Sequence, residues 1–257
     1  MRGFAIDMDG TIYHGGIPIP GAREFIQWLR DSGVPFRFLT NISSHGRQFY
    51  ADRLNGMGFD VSVNEILSST TASARYITAN HPGAKVYAVG VPDMLRELEE
   101  AGVVLDEEDP DIVLLGFDTT ITYAKINKAY QLLRKGKTFI ATHPDDLCPT
   151  EYGYDIDIGP FIRMFSQMCQ QEPVVIGKPS RRMLEMAALE MGIDAEDVIM
   201  VGDRAYTDIR MAVDAGTDSI AVLSGETTRE ELSGSGLNPT FICDSVADIP
   251  KLGLHLR

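Results

Sequence analysis

The chain has 257 residues, 44% of them hydrophobic, and 23 Lys and Arg face 37 Asp and Glu for a formal net charge of −14. That length allows one large α/β domain or a core with a smaller insert, and the acidic balance argues against nucleic acid and anionic membranes as partners. No apolar run approaches the ~20 residues of a membrane span. The run ahead of Asp7 is too short for a secretory signal, and Cys148, Cys169 and Cys243 show no zinc or disulfide spacing, so a cytoplasmic protein is expected.

Residues 4–6 form a short apolar run that ends at Asp7. Residues 22–32 carry Phe25, Ile26 and Leu29 at helical spacing, with Gly33 as a stop signal. Residues 36–39 read as a strand ending at Thr40, and a strand-like run at 65–67 leads into a helical stretch at 70–79. A second series follows, with strands at 86–89, 112–115 and 138–141. Helices are expected between and beyond them, at 92–101 and 123–134. The polar stretch 142–160, rich in Pro and Asp, reads as a loop too long for an ordinary connection, and such loops often carry function. A helix with Phe161, Ile162, Phe165 and Met168 comes next. The first pattern then resumes, with strands at 174–176, 198–201, 220–223 and 241–243 and a helix at 181–191. Repeated strand–helix alternation predicts a parallel, doubly wound sheet with its strand carboxyl ends along one edge.

Polar residues follow four of these apolar strands. They are Asp7-Met8-Asp9-Gly10-Thr11, Thr40-Asn41, Lys178, and Gly202-Asp203-Arg204 with Asp208 five residues beyond Asp203. Ligands of open α/β sheets bind just outside the strand carboxyl ends, so four distant segments are expected to converge on one cleft. Asp7 and Asp9, two apart, would point to the same side of an extended chain. With Asp203 they make three crowded carboxylates, which need either a proton or a cation among them. Carboxylate oxygens with room for water suit Mg²⁺. Lys178 adds a point charge, and Thr40 adds a donor. This is the equipment of phosphoryl transfer. One carboxylate would attack phosphorus, and the other would protonate the leaving oxygen and then take a proton from water.

Taken together, Asp7-Met8-Asp9-Gly10-Thr11, Thr40-Asn41, Gly177-Lys178-Pro179 and Gly202-Asp203 through Asp208 resemble the four ordered motifs of the haloacid dehalogenase superfamily. The long stretch between the second and third motifs is similar to the α/β cap of its NagD-like, 4-nitrophenylphosphatase-type branch. The resemblance implies a Rossmann-like core at about 1–79 and 178–257, with an inserted α/β cap at about 80–177 that selects the substrate. It implies a Mg²⁺-dependent phosphoric monoester hydrolase acting on a small phosphorylated metabolite, such as a sugar phosphate or, in vitro, 4-nitrophenyl phosphate. Asp7 would be the nucleophile, Asp9 the acid/base, Thr40 and Asn41 phosphoryl contacts, and Lys178 the group orienting nucleophile and phosphate. The metal would be held by Asp7, the backbone carbonyl of Asp9, and Asp203, with Asp208 at the metal or behind it. A homodimer is compatible with this reading. The cap departs from its relatives: Ala141-Thr142-His143-Pro144-Asp145 stands where they commonly have Ala-Thr-Asn-Pro-Asp. The loop 156–161 replaces a small-residue loop.

Each residue also has a plainer reading. Asp208 could cap the following helix. Arg204 reads as an ion-pair partner of the acids, and His14 as an exposed loop residue. His143 reads as a substrate contact or as a turn residue before Pro144. Asp145, Asp146, Asp155 and Asp157 could be a solvated acidic loop. If they face a cleft, they disfavour further anionic groups and favour a neutral polyol or cationic leaving group. Two rivals share the core chemistry. A phospho-receiver domain needs no second acid two residues after its nucleophile and no large insert. A phosphomutase uses the same scaffold, whereas a dehalogenase needs no metal carboxylates.

Overall fold

The structure, a computed structural model, describes residues 1–150 and 153–256. The chain divides into two compact units. One comprises Met1–Thr40, Arg47–Leu67 and Lys178–Arg257, and the other Asn41–Gly46 and Ser68–Gly177.

The first unit is built on a six-stranded sheet. Its spatial order is Phe241–Cys243, Asp218–Val222, Val198–Gly202, Gly3–Asp7, Phe36–Thr40, Ile66–Ser68. The pairs from Phe241–Cys243 through to Phe36–Thr40 are parallel. Gly3–Asp7 and Val198–Gly202 are buried along their whole length, as expected of central strands covered on both faces. Helix Ala22–Asp31 turns Ala22, Phe25, Ile26 and Leu29 inward. Phe4 meets the Phe25 ring edge-on at 5.9 Å between centroids. Helix Arg181–Met191 buries Met183, Leu184, Ala187 and Ala188.

Strand order runs outward in opposite directions from Gly3–Asp7. The following strands, Phe36–Thr40 and Ile66–Ser68, lie to one side and Val198–Gly202 with its successors to the other. The reversal leaves a crevice at the carboxyl ends of these two central strands, where ligands of doubly wound sheets bind. Asp7 closes one of them, and Asp203 follows the other.

The second unit has its own five-stranded sheet, ordered Val174–Val175, Thr138–Ala141, Ile112–Leu115, Lys85–Val89, Val104–Leu105, all parallel. Phe139 and Phe165, both fully buried, anchor its core with their rings perpendicular. Helix Ser69–Asn80, grouped from the sequence with the core, packs on helix Pro92–Glu100 and belongs to this unit. The stretch 142–160 is not irregular throughout. Leu147–Thr150 and Gly153–Ile156 pair as an antiparallel hairpin, and residues 151–152 lie outside the described residues. Among the described residues, no helix is long and apolar enough to cross a membrane.

Candidate active site

Strand Gly3–Asp7 delivers Asp7, buried at 8% exposure, to the sheet's carboxyl edge. The backbone then turns at once. The N–H groups of Ile12 and Tyr13 donate to the Met8 carbonyl, and Gly10 N–H donates to the Tyr13 carbonyl. Gly10 adopts φ +85°, and a Cβ there would lie 2.3 Å from Asp203 Oδ2. Only glycine allows both the turn and this approach of Asp203.

Asp203 is held from several sides. Thr11 Oγ1 donates to its Oδ1 at 3.2 Å, and Glu226 N–H to its Oδ2 at 2.7 Å. Thr227 N–H donates to its backbone carbonyl. Ser224 Oγ donates to the Gly10 carbonyl at 2.8 Å, so the loop after Asp218–Val222 is tied to the loop after Asp7. Thr11 closes the first motif, whereas the 224–226 loop is not among the site segments expected from sequence. The signal was there for the latter, since Ser224-Gly225 follows an apolar strand just as the other site segments do.

Lys178, 4% exposed, joins the cluster from the chain's return into the first unit. It donates to Asp7 Oδ1, and its Nζ lies 2.8 Å from Asp208 Oδ1. Burial alone would lower the ammonium pKa. The Asp208 and Asp7 carboxylates outweigh that effect and hold it above its ordinary value. Lys178 is therefore a fixed cation. Asp208 sits in a π-helical turn, Ala205–Ile209, that runs into helix Arg210–Ala215. Its Oδ2 accepts from Arg204 N–H at 3.1 Å. Oδ2 of Asp208 thus has a backbone donor, and its Oδ1 faces the Lys178 ammonium as an ion pair. Asp208 caps the turn from inside rather than from a position ahead of the helix.

Asp7, Asp203 and Asp208 each offer an oxygen within 4.8 Å of the others. Burial, then the Asp7 and Asp208 charges, push the Asp203 carboxyl up to about 8. Burial raises Asp208 to about 6 even with Lys178 beside it. The hydrogen bonds to Asp203 suit an ionised acceptor, while burial and like charge oppose ionisation. A divalent cation resolves that conflict, and an all-oxygen donor set at the mouth of the crevice fits one.

Asp9 departs from expectation. Its carboxylate is not part of this cluster, and its side chain is 38% exposed with Oδ1 3.8 Å from His14 Nδ1. The strand ends at Asp7, so the two-residue alternation that would align the pair no longer operates. Desolvation, then the Asp7 charge, raise the Asp9 pKa. Arg204 pairs with Glu226 at 2.9 Å. Thr40, buried at 5%, ends the strand next to Gly3–Asp7, one residue past the partner of Asp7 in the register.

Asn41 and His143 belong to the second unit. Asn41 Nδ2 donates to Asp145 Oδ2 at 3.0 Å, and its carbonyl accepts from Ser69 Oγ at 2.6 Å. His143 is fully buried, with Asp145 at one ring edge and Asp157 at the other. The substrate contact expected of it is not open to a ring with no exposed surface. Burial pushes the neighbouring Asp157 carboxyl up to about 6.

Comparison with known proteins places this geometry. The description "haloacid dehalogenase-like hydrolase" matches residues 4–104, and a second haloacid dehalogenase hydrolase-like description matches residues 175–249. The chain is 34% identical to a 5′-nucleotidase, YutF, of Bacillus subtilis over 96% of each chain. It is 36% identical to an acid sugar phosphatase of Staphylococcus haemolyticus over 93% of this chain and 92% of that one. A 4-nitrophenylphosphatase of Thermotoga maritima superposes with a TM-score of 0.93 at 37% identity, covering 99% of this chain and 98% of that one. The chain belongs to the haloacid dehalogenase-like hydrolases and is a phosphomonoester hydrolase.

Proposed function

We propose that this chain is a Mg²⁺-dependent phosphatase of small phosphorylated metabolites that works through a phosphoryl group carried on Asp7. One observation carries the reading. A buried lysine is bonded to Asp7 and Asp208, with the Asp203 carboxylate in the same cluster, at the topological switch point of a doubly wound sheet. Asp7 and Asp203, with the backbone carbonyl of Asp9, would hold the ion. Asp208 acts from behind by fixing Lys178. Bound there, the cation supplies positive charge against the phosphoryl oxygens and the crowded carboxylates.

The remaining steps belong to side chains. A carboxylate oxygen of Asp7 forms a bond to phosphorus as the ester P–O bond breaks. Lys178 holds that carboxylate in position and offers charge to the phosphoryl oxygens, and Thr40 offers a hydroxyl at the same sheet edge. Asp9, whose raised pKa favours the protonated form, gives its proton to the leaving oxygen. The resulting Asp9 carboxylate takes a proton from water as the water oxygen attacks phosphorus. Phosphate leaves and Asp7 is restored. Asp9→Asn is expected to lower the turnover of 4-nitrophenyl phosphate by about 10²- to 10⁴-fold. Its effect should be larger with alkyl phosphates, whose leaving groups need the proton more. Equal losses on both substrates would remove Asp9 from the acid role.

We assign substrate selection to the second unit, as a cap. It contains a cavity of about 470 Å³ lined by Phe117, Tyr154 and Phe161 together with Asp118, Asp155 and Asp157. Asp118 is paired with Lys125 at 2.6 Å, but Asp155 leaves the cavity acidic with no Lys or Arg among the described lining residues, and this disfavours a second anionic group. Sugar monophosphates should therefore be hydrolysed faster than bisphosphates and nucleotides. The relatives named acid sugar phosphatase and 5′-nucleotidase make sugar monophosphates and nucleotides the informative pair to compare. Multiple turnovers in a Mg²⁺-dependent phosphate-release assay separate this function from a phospho-receiver, and free phosphate as the product separates it from a mutase. Three free cysteines suit a reducing, cytoplasmic setting.

The metal reading carries a pH signature. Without the ion, Asp203 and Asp208 hold protons up to about 8 and about 6 against an ordinary 3.8. Between those limits the folded state binds more protons than the unfolded chain, so metal-free stability falls as pH rises. A cation takes the place of those protons. The gain in melting temperature on adding Mg²⁺ is expected to be larger at about pH 8 than at about pH 6. Equal gains at both would place the ion elsewhere.

A further inference from the structure

A second polar cluster, in the second unit, is not used by the chemistry above. His143 is 0% exposed, and neither ring nitrogen has a hydrogen-bond partner among the described residues. A buried imidazole with both nitrogens unsatisfied is costly, because each lost its water without replacement. Two carboxylates flank it. Asp145 Oδ2 lies 3.7 Å from Nδ1, and Asp157 Oδ1 lies 3.6 Å from Nε2. Both gaps are too long for direct hydrogen bonds, which close to about 2.7–3.2 Å. Either gap is near the spacing of two ligands sharing one ion, about 3.4 Å when each sits about 2.0–2.1 Å from it, and one of the two would serve as such, since the ring nitrogens point apart. One nitrogen and one oxygen from each carboxylate all lie within 4.8 Å of one another.

We propose that His143, Asp145 and Asp157 form a second divalent-cation site, for a borderline metal of the Zn²⁺ class and separate from the Asp7 cluster. Donor chemistry selects the class. Neutral imidazole suits Zn²⁺ and its neighbours, while Mg²⁺ prefers oxygen alone and keeps its waters. A neutral ring with two carboxylates sums to −2, which one divalent ion balances. One ring nitrogen would bind the ion, and the other N–H would face the carboxylate at its edge, an arrangement that orients ligating histidines. The carboxylates are themselves steadied. Asp145 Oδ2 accepts from Asn41 Nδ2 at 3.0 Å, and Asp157 Oδ1 accepts from Ile158 N–H at 2.7 Å. Backbone bonds from Asp157 N–H to the Asp146 carbonyl and from Gly159 N–H to the Asp145 carbonyl tie the two loop segments together. Asp145, with 15% of its side chain exposed, offers the ion a way in.

The test uses the full-length chain carrying Asp203→Asn, which disables the other cluster. The protein is stripped with a chelator and dialysed against micromolar Zn²⁺ in millimolar Mg²⁺. One bound Zn²⁺ per chain is expected, with the side-chain nitrogen NMR signals of a single histidine shifted on binding. Adding His143→Asn should weaken Zn²⁺ binding at least about tenfold and abolish that signal. If that variant does not fold, Asp157→Asn, which keeps the size of the side chain, should weaken binding similarly. No retained Zn²⁺, or binding unchanged in whichever of these variants folds, overturns the proposal.

Discussion

Asp7→Asn is expected to cut phosphate release by about 10⁴- to 10⁶-fold, the scale seen when a covalent nucleophile is removed. The amide oxygen can still accept from Lys178, so the geometry around Asp7 Oδ1 has a substitute. What disappears is a carboxylate able to bond to phosphorus. The substitution also removes one negative charge from a buried cluster of three, and like charge there is a destabilising term. The variant's melting temperature without metal should therefore equal or exceed that of the wild type. Loss of activity with undiminished stability distinguishes a missing nucleophile from a damaged fold. Residual activity within about tenfold of wild type would mean that phosphorus is attacked by something other than Asp7.

The sequence makes the first unit readable because its central strands are continuous apolar runs with polar residues at one end. Gly3–Asp7 and Val198–Gly202 are buried residue for residue, and no competing period obscures them. The same pattern led to Lys178 and Asp203. Legibility fails where burial does not leave a periodic trace. Helix Arg47–Gly56 buries only Tyr50, Ala51 and Leu54 among polar neighbours, so no apolar stripe marks it. The hairpin Leu147–Thr150 with Gly153–Ile156 is exposed on nearly every described residue, and a strand without a buried face shows no alternation. Asp9 lies two residues beyond Asp7, where its strand ends, so the two-residue period does not fix the direction of its side chain. For Asp157 the sequence leaves a solvated loop and a cleft-facing carboxylate both open, because His143 is 14 residues away and meets it only when the intervening hairpin folds back. Pairings of that kind depend on tertiary closure, which local pattern does not report.

Lys178→Met tests the cluster as a whole. Methionine keeps most of the length and apolar stem but removes the charge that balances Asp7 and Asp208 from within hydrogen-bond reach. Breaking a buried ion pair by deleting one partner costs about 3–5 kcal/mol, because the other is left charged and unpaired. At about 2–4 °C per kcal/mol for a chain of this size, the melting temperature should fall by roughly 6–20 °C at neutral pH. Turnover should fall as well, by about 10²- to 10³-fold, from the loss of charge facing the phosphoryl group. The two losses have different origins and can be separated. In Lys178→Met with Asp208→Asn, one orphaned carboxylate becomes neutral, so part of the stability should return while activity stays low. Full activity in the double variant would reduce Lys178 to a counter-ion for Asp208. An unchanged melting temperature in the single variant would instead mean that the carboxylates are already protonated and the buried salt bridge does not exist in solution.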